Sequence, residues 1–247
     1  YDGCMDLAGR TAIVTGGATR VGRAISAELA RRGAAVFIHY HQCSDKAESL
    51  HREINAAGGV AAIGSLDLSD PEIARHLVDV ASAALGPPTI LVNNASGFPL
   101  DTIEDVTLEG FRAAQDLMLA TPLLLTQAFA RQVPEGLGGA IVNVTDARTA
   151  KPYRKHLSYV LAKGGIDTLT RASALALAPL IRVNAVALGV ILPPPGEGDG
   201  YAERLAAELP LSRVGGTQVV ADAVALLLEN DFITGEIIRV DGGGHLV

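Results

Sequence analysis

The sequence predicts a doubly wound α/β domain, and three observations predict it. Short apolar runs alternate with helix-spaced patterns from one end of the chain to the other. Those runs are near-continuous rather than alternating, which is how strands read when helices cover both faces of a parallel sheet. A glycine-rich turn follows the first run and leads into a helix, the arrangement of a Rossmann-type βαβ unit. The 247 residues suit a single domain, and no repeat, low-complexity tract or linker divides 1–247.

Thr11–Thr15 is a β-rich run. Val21, Ile25, Glu28-Leu29 and Arg32 recur at helical spacing and predict a helix over Val21–Arg32, stopped by Gly33. Ala35–His39 is a second strand, Asp45–Ala57 a polar-faced helix ending at Gly58-Gly59, and Val60–Gly64 a third strand. Asp70-Pro71-Glu72 opens the next helix, with Ser69 or Asp70 as N-cap and proline in the first turn. Ile90–Asn93 is a fourth strand. A long helical pattern covers Leu108–Arg131, and Pro122 bends or interrupts it because proline removes an N–H from the ladder. Ala140–Thr145, Leu157–Ala178 and Ile181–Val186 read as strand, helix and strand. Tyr201–Leu209 and Gln218–Asn230 are amphipathic helices, and Glu236–Val240 is the last strand. Between them, Leu192–Gly200 combines stiff prolines with loose glycines and reads as a mobile loop. Ligands of open α/β sheets sit beyond the carboxyl ends of strands, so 192–210 is placed to cover a substrate; an ordinary surface connection fits the same residues.

Composition excludes several classes. Hydrophobic residues make up 49% and charged residues 19%, enough apolar material for a core. A net charge of −7 argues against nucleic-acid binding, which needs a basic face. The longest uncharged stretch, Val80–Leu100, is broken by Pro87-Pro88 and Asn93-Asn94, so no membrane span is expected. No basic segment followed by an apolar one opens the sequence, so no secretory signal is expected. Tyr1–Cys4, ahead of Met5, adds nothing to the pattern. Cys4 and Cys43 make neither a disulfide scaffold nor a zinc site, and a reducing cytoplasm is the expected location. No metal site is expected: His51, His76 and His156 read as surface or helix-face residues, and the His39/His41 pair has no third ligand.

The glycine turn runs Thr15-Gly16-Gly17-Ala18-Thr19-Arg20-Val21-Gly22. Glycine lets the backbone approach a pyrophosphate, and the helix behind it offers unpaired N–H groups and a positive dipole end. Gly16, Thr19, Arg20, Val21 and Gly22 are therefore candidate cofactor contacts. After the second strand come His39, Tyr40, His41, Gln42, Cys43 and Ser44, with no acid until Asp45. An acid there would bind the ribose of NAD and repel a 2′-phosphate, whereas Arg20, His41, Gln42 and Ser44 can donate to one. NADPH is expected, with NADH the weaker candidate; a merely solvated turn is the other reading. Cys43 reads as a small packing residue rather than a nucleophile.

Tyr159 and Lys163 lie four residues apart and share a helix face. Lys163 is expected to lower the Tyr159 pKa and hold the nicotinamide ribose, leaving Tyr159 as general acid. Together with the glycine turn, Asn93-Asn94-Ala95, Thr234-Gly235 and Val240-Asp241-Gly242-Gly243, this pair resembles the short-chain dehydrogenase/reductase family, from Leu7 to the end of the chain. The resemblance implies a seven-stranded parallel sheet and hydride transfer with nicotinamide.

Most members of that family place a serine about thirteen residues before the tyrosine; Asp146 stands there, in Val144-Thr145-Asp146-Ala147. Aspartate at this place is similar to the pteridine reductases and bacterial dihydromonapterin reductases. So are Arg20 in the glycine turn, His39-Tyr40-His41, Asn93-Asn94-Ala95-Ser96 followed by Phe98, and the closing Gly-Gly-Gly-His-Leu. The resemblance implies that Asp67 and Leu68, Asn94, Ala95 and Ser96, and Gly189 and Ile191 join the turn, Tyr159 and Lys163 around the cofactor. Arg20, Ser96, Phe98, Asp146, Tyr159 and Leu188 are implied around the substrate. A flat pterin would lie between the nicotinamide and Phe98. Hydride would reach a ring carbon while Tyr159 or Asp146 protonates the adjacent nitrogen, and burial is expected to raise the Asp146 pKa against Lys163. The chain departs from the family at Met118, where many members carry asparagine, at Leu188-Gly189 for Pro-Gly, and at Gln42 for an arginine. Asp146 also reads as a capping carboxylate, Phe98 as core and Arg20 as a phosphate clamp alone.

These residues point to an NADPH-dependent reductase of a dihydropterin such as dihydrobiopterin, dihydromonapterin or dihydrofolate. A carbonyl or 3-oxoacyl reductase is the alternative, and a non-catalytic nucleotide-binding scaffold a second. The resemblance also implies a homotetramer, built through Leu108–Arg131 and Leu157–Ala178 and through the C-terminal strand, with a dimer as the fallback.

Overall fold

The computed structural model describes residues 5–194 and 196–247; Cys4 and the residues before it lie outside them. Seven parallel strands form one sheet in the order β3-β2-β1-β4-β5-β6-β7. They are β1 (Thr11–Val14), β2 (Ala35–Tyr40), β3 (Val60–Ser65), β4 (Ile90–Asn93), β5 (Gly139–Asp146), β6 (Ile181–Leu188) and β7 (Ile237–Val240). The helices are α1 (Arg20–Arg31), α2 (Ser44–Ala56), α3 (Pro71–Ala74), α4 (Leu77–Leu85), α5 (Leu108–Gln115), α6 (Thr121–Ala130), α7 (Leu157–Leu177), α8 (Asp199–Ala206) and α9 (Thr217–Glu229).

Successive strand residues face opposite sides, and the core divides accordingly. Ala12 and Val14 of β1 point into a core with Ile25 and Leu29 of α1, Leu50 and Ile54 of α2, and Val224 and Leu228 of α9. Ile13, between them, points into the other, with Leu77 of α4, and Leu125 and Phe129 of α6. This two-sided burial is why the strands read as unbroken apolar runs.

Most elements fall within two residues of the spacing-based ranges; three differ. The helix opened by Asp70 does so as expected, with Asp70 Oδ1 accepting from the Glu72 N–H at 2.9 Å, but it breaks at Arg75-His76 into α3 and α4. The pattern over Leu108–Arg131 is interrupted by a π-helical turn, Asp116–Ala120, before α6. Pro122 lies in the first turn of α6 and cannot donate back into the ladder, so the chain changes its pitch just upstream. The Tyr201–Leu209 helix begins two residues earlier and ends at Ala206; the Leu211 N–H then donates to the Gly242 carbonyl.

The chain reverses its winding between β1 and β4, the two strands that meet at the switch point. The carboxyl ends of β1, β4, β5 and β6 therefore open onto one crevice. Asn93 on β4 donates to Asn143 Oδ1 on β5 at 2.8 Å, and Asn143 donates to Thr170 Oγ1 on α7 at 2.9 Å, tying these elements together beneath it. At the opposite face Glu28, buried in α1, accepts from Arg31 and Arg32, and Arg32 also grips Glu229 of α9. The Arg31 guanidinium, with Arg32, holds the Glu28 carboxyl down to about 2 against its own burial.

A carboxyl whose folded-state pKa is depressed contributes stability that is present above its unfolded pKa and lost as pH falls toward the folded one. Glu28→Gln is therefore expected to lower Tm at neutral pH and to flatten the decline of Tm between about pH 4.5 and about 2, checked by calorimetry.

Candidate active site

The glycine turn at the end of β1 is built by residues far away in the chain. Gly16 takes φ +60°, open to glycine without strain, and its N–H donates to His39 Nδ1 at 3.0 Å. Asn94 Nδ2 donates to the Thr15 carbonyl at 2.8 Å, and Thr15 Oγ1 accepts from the N–H groups of Asn94 and Ala95. A Cβ on Gly22 would lie 2.1 Å from the Gly16 carbonyl oxygen, so no other residue fits the first turn of α1. Thr19 precedes α1 and its side chain caps none of the opening N–H groups. Those donors, behind the Gly16-Gly17 pair, suit the phosphates of a dinucleotide.

His39, a candidate cofactor-binding residue on sequence grounds, turns its ring inward. It is 2% exposed; since Nδ1 accepts from Gly16, Nε2 carries the proton and donates to the Leu66 carbonyl at 2.9 Å. Burial pushes its pKa down, so it stays neutral and acts as a strut for the turn. Leu68 and Ile191 are buried likewise, leaving only their backbones to face a ligand. Tyr40 is half-buried, while His41, Gln42, Cys43 and Ser44 form an exposed strip after β2. Exposure rules out the packing role expected for Cys43. His41 Nδ1 lies 3.9 Å from Asp67, whose carboxylate accepts from the Ser69 N–H. Val21 is half-buried at the start of α1. Arg20, exposed and at φ +53°, donates from Nη2 to the Pro193 carbonyl at 2.6 Å and so links the turn to the segment after β6. Leu188 ends β6, and the Gly189 N–H donates to the Val240 carbonyl.

Across the crevice, β5 and α7 bring Asp146, Tyr159 and Lys163 together. The Tyr159 hydroxyl donates to Asp146 Oδ2 at 2.7 Å, and Asp146 Oδ1 accepts from the Arg148 N–H at 2.7 Å. Lys163, 4% exposed, donates to the Val144 carbonyl at 2.8 Å. Thr145 Oγ1 donates to Asp167 Oδ1 at 2.7 Å, which seats α7 on β5. Burial raises the Asp146 pKa, against the Arg148 N–H, the Tyr159 hydroxyl and the Lys163 charge. Burial also brings Lys163 down to about 8, with Asp146 and Asp167 opposing.

The expected lowering of the Tyr159 pKa is overturned. Burial first, then the charge of the facing Asp146 carboxylate, push the phenol well above its usual range. The charge nearest the hydroxyl is negative, so Tyr159 holds its proton and donates it to a hydrogen bond.

Phe98 lies at the mouth of this site. The loop that carries it is fastened to α7 by Asp101, which accepts from both the N–H and the hydroxyl of Ser158. Ser96 Oγ donates to Met118 Sδ at 3.2 Å, and Met118 sits in the π-helical turn against Tyr159 and Ala162. Sequence reasoning missed three neighbours. His156, read as a surface residue, stacks on Phe98; Tyr153 meets Phe98 edge-on; and the Arg148 guanidinium lies 5.3 Å from the centre of the Tyr153 ring. The one available signal was an aromatic residue, Tyr153, beside Pro152 in the loop shortly after Asp146.

Comparisons with known proteins agree with this architecture. A family model described as enoyl-(acyl carrier protein) reductase matches residues 16–245. The chain is 35% identical over 245 residues to an uncharacterized oxidoreductase of Methylorubrum extorquens, covering 96% of this chain and 98% of that protein. It is 31% identical to a short-chain type dehydrogenase/reductase of Picea abies, covering 96% of this chain and 93% of that one. The crystal structure of FolM alternative dihydrofolate reductase 1 from Brucella canis, complexed with NADP, superposes with a TM-score of 0.94 at 37% identity, covering 98% of this chain and 96% of that chain.

Two outcomes test the site's construction. His39→Phe fills the space but strands the Gly16 N–H and the Leu66 carbonyl, and is expected to cost about 2–4 kcal/mol in denaturant unfolding. A Lys163 pKa of about 8 means that the unfolded chain binds the extra proton between about pH 8 and 10.5, so this group's penalty is relieved as pH rises. The Tm gap between Lys163→Met and the wild type should therefore drift in favour of the wild type across that range.

Proposed function

The chain is an oxidoreductase of the short-chain dehydrogenase/reductase family, and from that premise we propose that it is an NADPH-dependent reductase of a dihydropterin or a similar bicyclic pteridine. The observation that carries this reading is the buried Asp146 carboxyl, 2.7 Å from the Tyr159 hydroxyl and raised in pKa. A hydroxyl at this place would suffice to hydrogen-bond a carbonyl oxygen. A carboxyl of raised proton affinity, hydrogen-bonded to the Tyr159 hydroxyl, suits a ring nitrogen, which must be protonated as the adjacent carbon is reduced.

When bound, the nicotinamide supplies the hydride. The uncapped start of α1 and the turn around Gly16 and Gly22 would hold the pyrophosphate, with Asn94 and His39 keeping that turn in shape. His41, Gln42 and Ser44, with Asp67 3.9 Å from His41, would receive the 2′-phosphate; the NADP carried by the Brucella canis structure supports the choice. Lys163 would hold the nicotinamide ribose and stabilise a negative Asp146. Tyr159 and Asp146 hold a proton between Oη and Oδ2 and would deliver it to the substrate nitrogen. Phe98 and Ser96 would bind the pteridine ring, with Arg20 and Leu188 on its other side and the 192–210 segment above it. The name of the Brucella canis relative, an alternative dihydrofolate reductase, also favours a pteridine substrate, folate being one. The half-exposed leucines of α6 and α7, Leu123 and Leu161, fit association into a tetramer through these helices.

Carbonyl reduction is the second reading, favoured by the 30% identity over 243 residues to a granaticin polyketide synthase ketoacyl reductase of Streptomyces violaceoruber. Oxidation of NADPH at 340 nm separates the two. Turnover of dihydrobiopterin, dihydromonapterin or dihydrofolate is expected, with kcat/KM falling at least ~100-fold in both Asp146→Ala and Tyr159→Phe. Turnover of simple ketones alone would overturn the pteridine reading.

A further inference from the structure

Phe98 is 40% exposed, yet one face of its ring is covered. The His156 ring stacks on it with centroids 3.7 Å apart and planes 16° from parallel. Its other aromatic neighbours meet it nearly perpendicular: Tyr159 at 4.9 Å and 88°, Tyr153 at 6.2 Å and 80°. With His156 on one face and the two tyrosines perpendicular to it, Phe98 still leaves 40% of its surface exposed for a ligand to cover.

His156 reaches this place at some conformational expense. It adopts φ 64° and ψ 41°, the left-handed region, immediately before α7. Histidine visits that region more readily than most side chains, but it remains uncommon. The ring does not cap the helix, since Asp101 accepts from the Ser158 N–H instead. Nor does it belong to either half of the core. Its own polar contact is Nδ1 donating to the Pro99 carbonyl at 2.8 Å, which fixes the imidazole to the loop that carries Phe98. Strained backbone at a site, serving neither core nor cap, points to the neighbour it supports.

We propose that His156 is a positioning residue that backs Phe98, so that a flat heteroaromatic substrate packs against the exposed part of that ring. This deepens the pteridine reading and rests on it. With its rear face packed, Phe98 does not swing away when the crevice is empty, and the substrate meets a ring already in place. Planar substrates gain from such a surface and unbranched aliphatic ones do not.

Two substitutions separate the ring from its hydrogen bond. His156→Asn keeps a side chain that tolerates the left-handed backbone and an N–H donor for Pro99, and removes the ring. His156→Phe restores the ring and removes the donor. The KM for dihydrobiopterin is expected to rise about fivefold in His156→Asn, with a smaller change in kcat and the KM for NADPH unmoved, and to recover largely in His156→Phe. An unaltered KM for dihydrobiopterin in His156→Asn, a parallel rise in the KM for NADPH, or no recovery in His156→Phe would overturn the proposal. Should the wild type reduce ketones and no pterin, the pteridine reading fails by itself, and the stack is tested by an aryl ketone against a straight-chain one. His156→Asn should then raise KM for the aryl ketone alone, and equal effects on both refute the backing role.

Discussion

The hydrogen bond from Tyr159 to the buried Asp146 carboxylate is the interaction that the rest of the site is arranged to permit. A carboxyl, a phenol and an ammonium packed out of water would each be costly alone. They are tolerated because each has a partner: Asp146 accepts from Tyr159 and the Arg148 N–H, and Lys163 donates to the Val144 carbonyl. Keeping those partners within reach requires α7 to sit in fixed register on β5, which Thr145–Asp167 and the Asn93–Asn143–Thr170 chain secure. Asp101 fixes the start of the same helix and brings the Phe98 loop with it. Reaction chemistry and packing are thus one construction: a shift of α7 large enough to open the Tyr159 contact would also strand buried polar groups.

The two walls of the crevice use polar side chains differently. On the proposed reacting wall Asp146, Tyr159 and Lys163 are displaced from their ordinary proton affinities. On the nucleotide wall His39, Asn94 and Thr15 spend their hydrogen bonds on the backbone of the turn and shape it for phosphate. Motif residues of the second kind act on the shape of the backbone.

Periodicity made the strands and most helices legible because both faces of the sheet are buried, which leaves little freedom in the pattern. Pro122 announced an interruption, and only the three-dimensional packing decides that it is a π-helical turn presenting Met118 to Ser96. Asp146 was legible from its distance to Tyr159 along the chain. The Tyr159 pKa was not, because Lys163 is one helical turn away in sequence while Asp146 is nearer the hydroxyl in space and opposite in sign. His39 escaped for a similar reason: an unbroken strand pattern does not say which polar residue finds partners inside. His156 escaped because a left-handed residue before a helix throws its side chain where no helical wheel places it.

The bonds from Asn94 into the glycine turn join residues 79 and 78 positions apart. The cradle therefore takes this shape only once β4 is in place, although the residues that line it come early in the chain. While β1 pairs only with β2, Thr15 lacks the partners that β4 and Asn94 bring, and the turn is one floppy glycine loop among many. It acquires its shape when the central pairing of β1 with β4 closes a long loop, an entropically slow event. A nascent chain halted before Asn94 thus presents the nucleotide motif without the nucleotide site, and competence to bind reports that the middle of the sheet has formed.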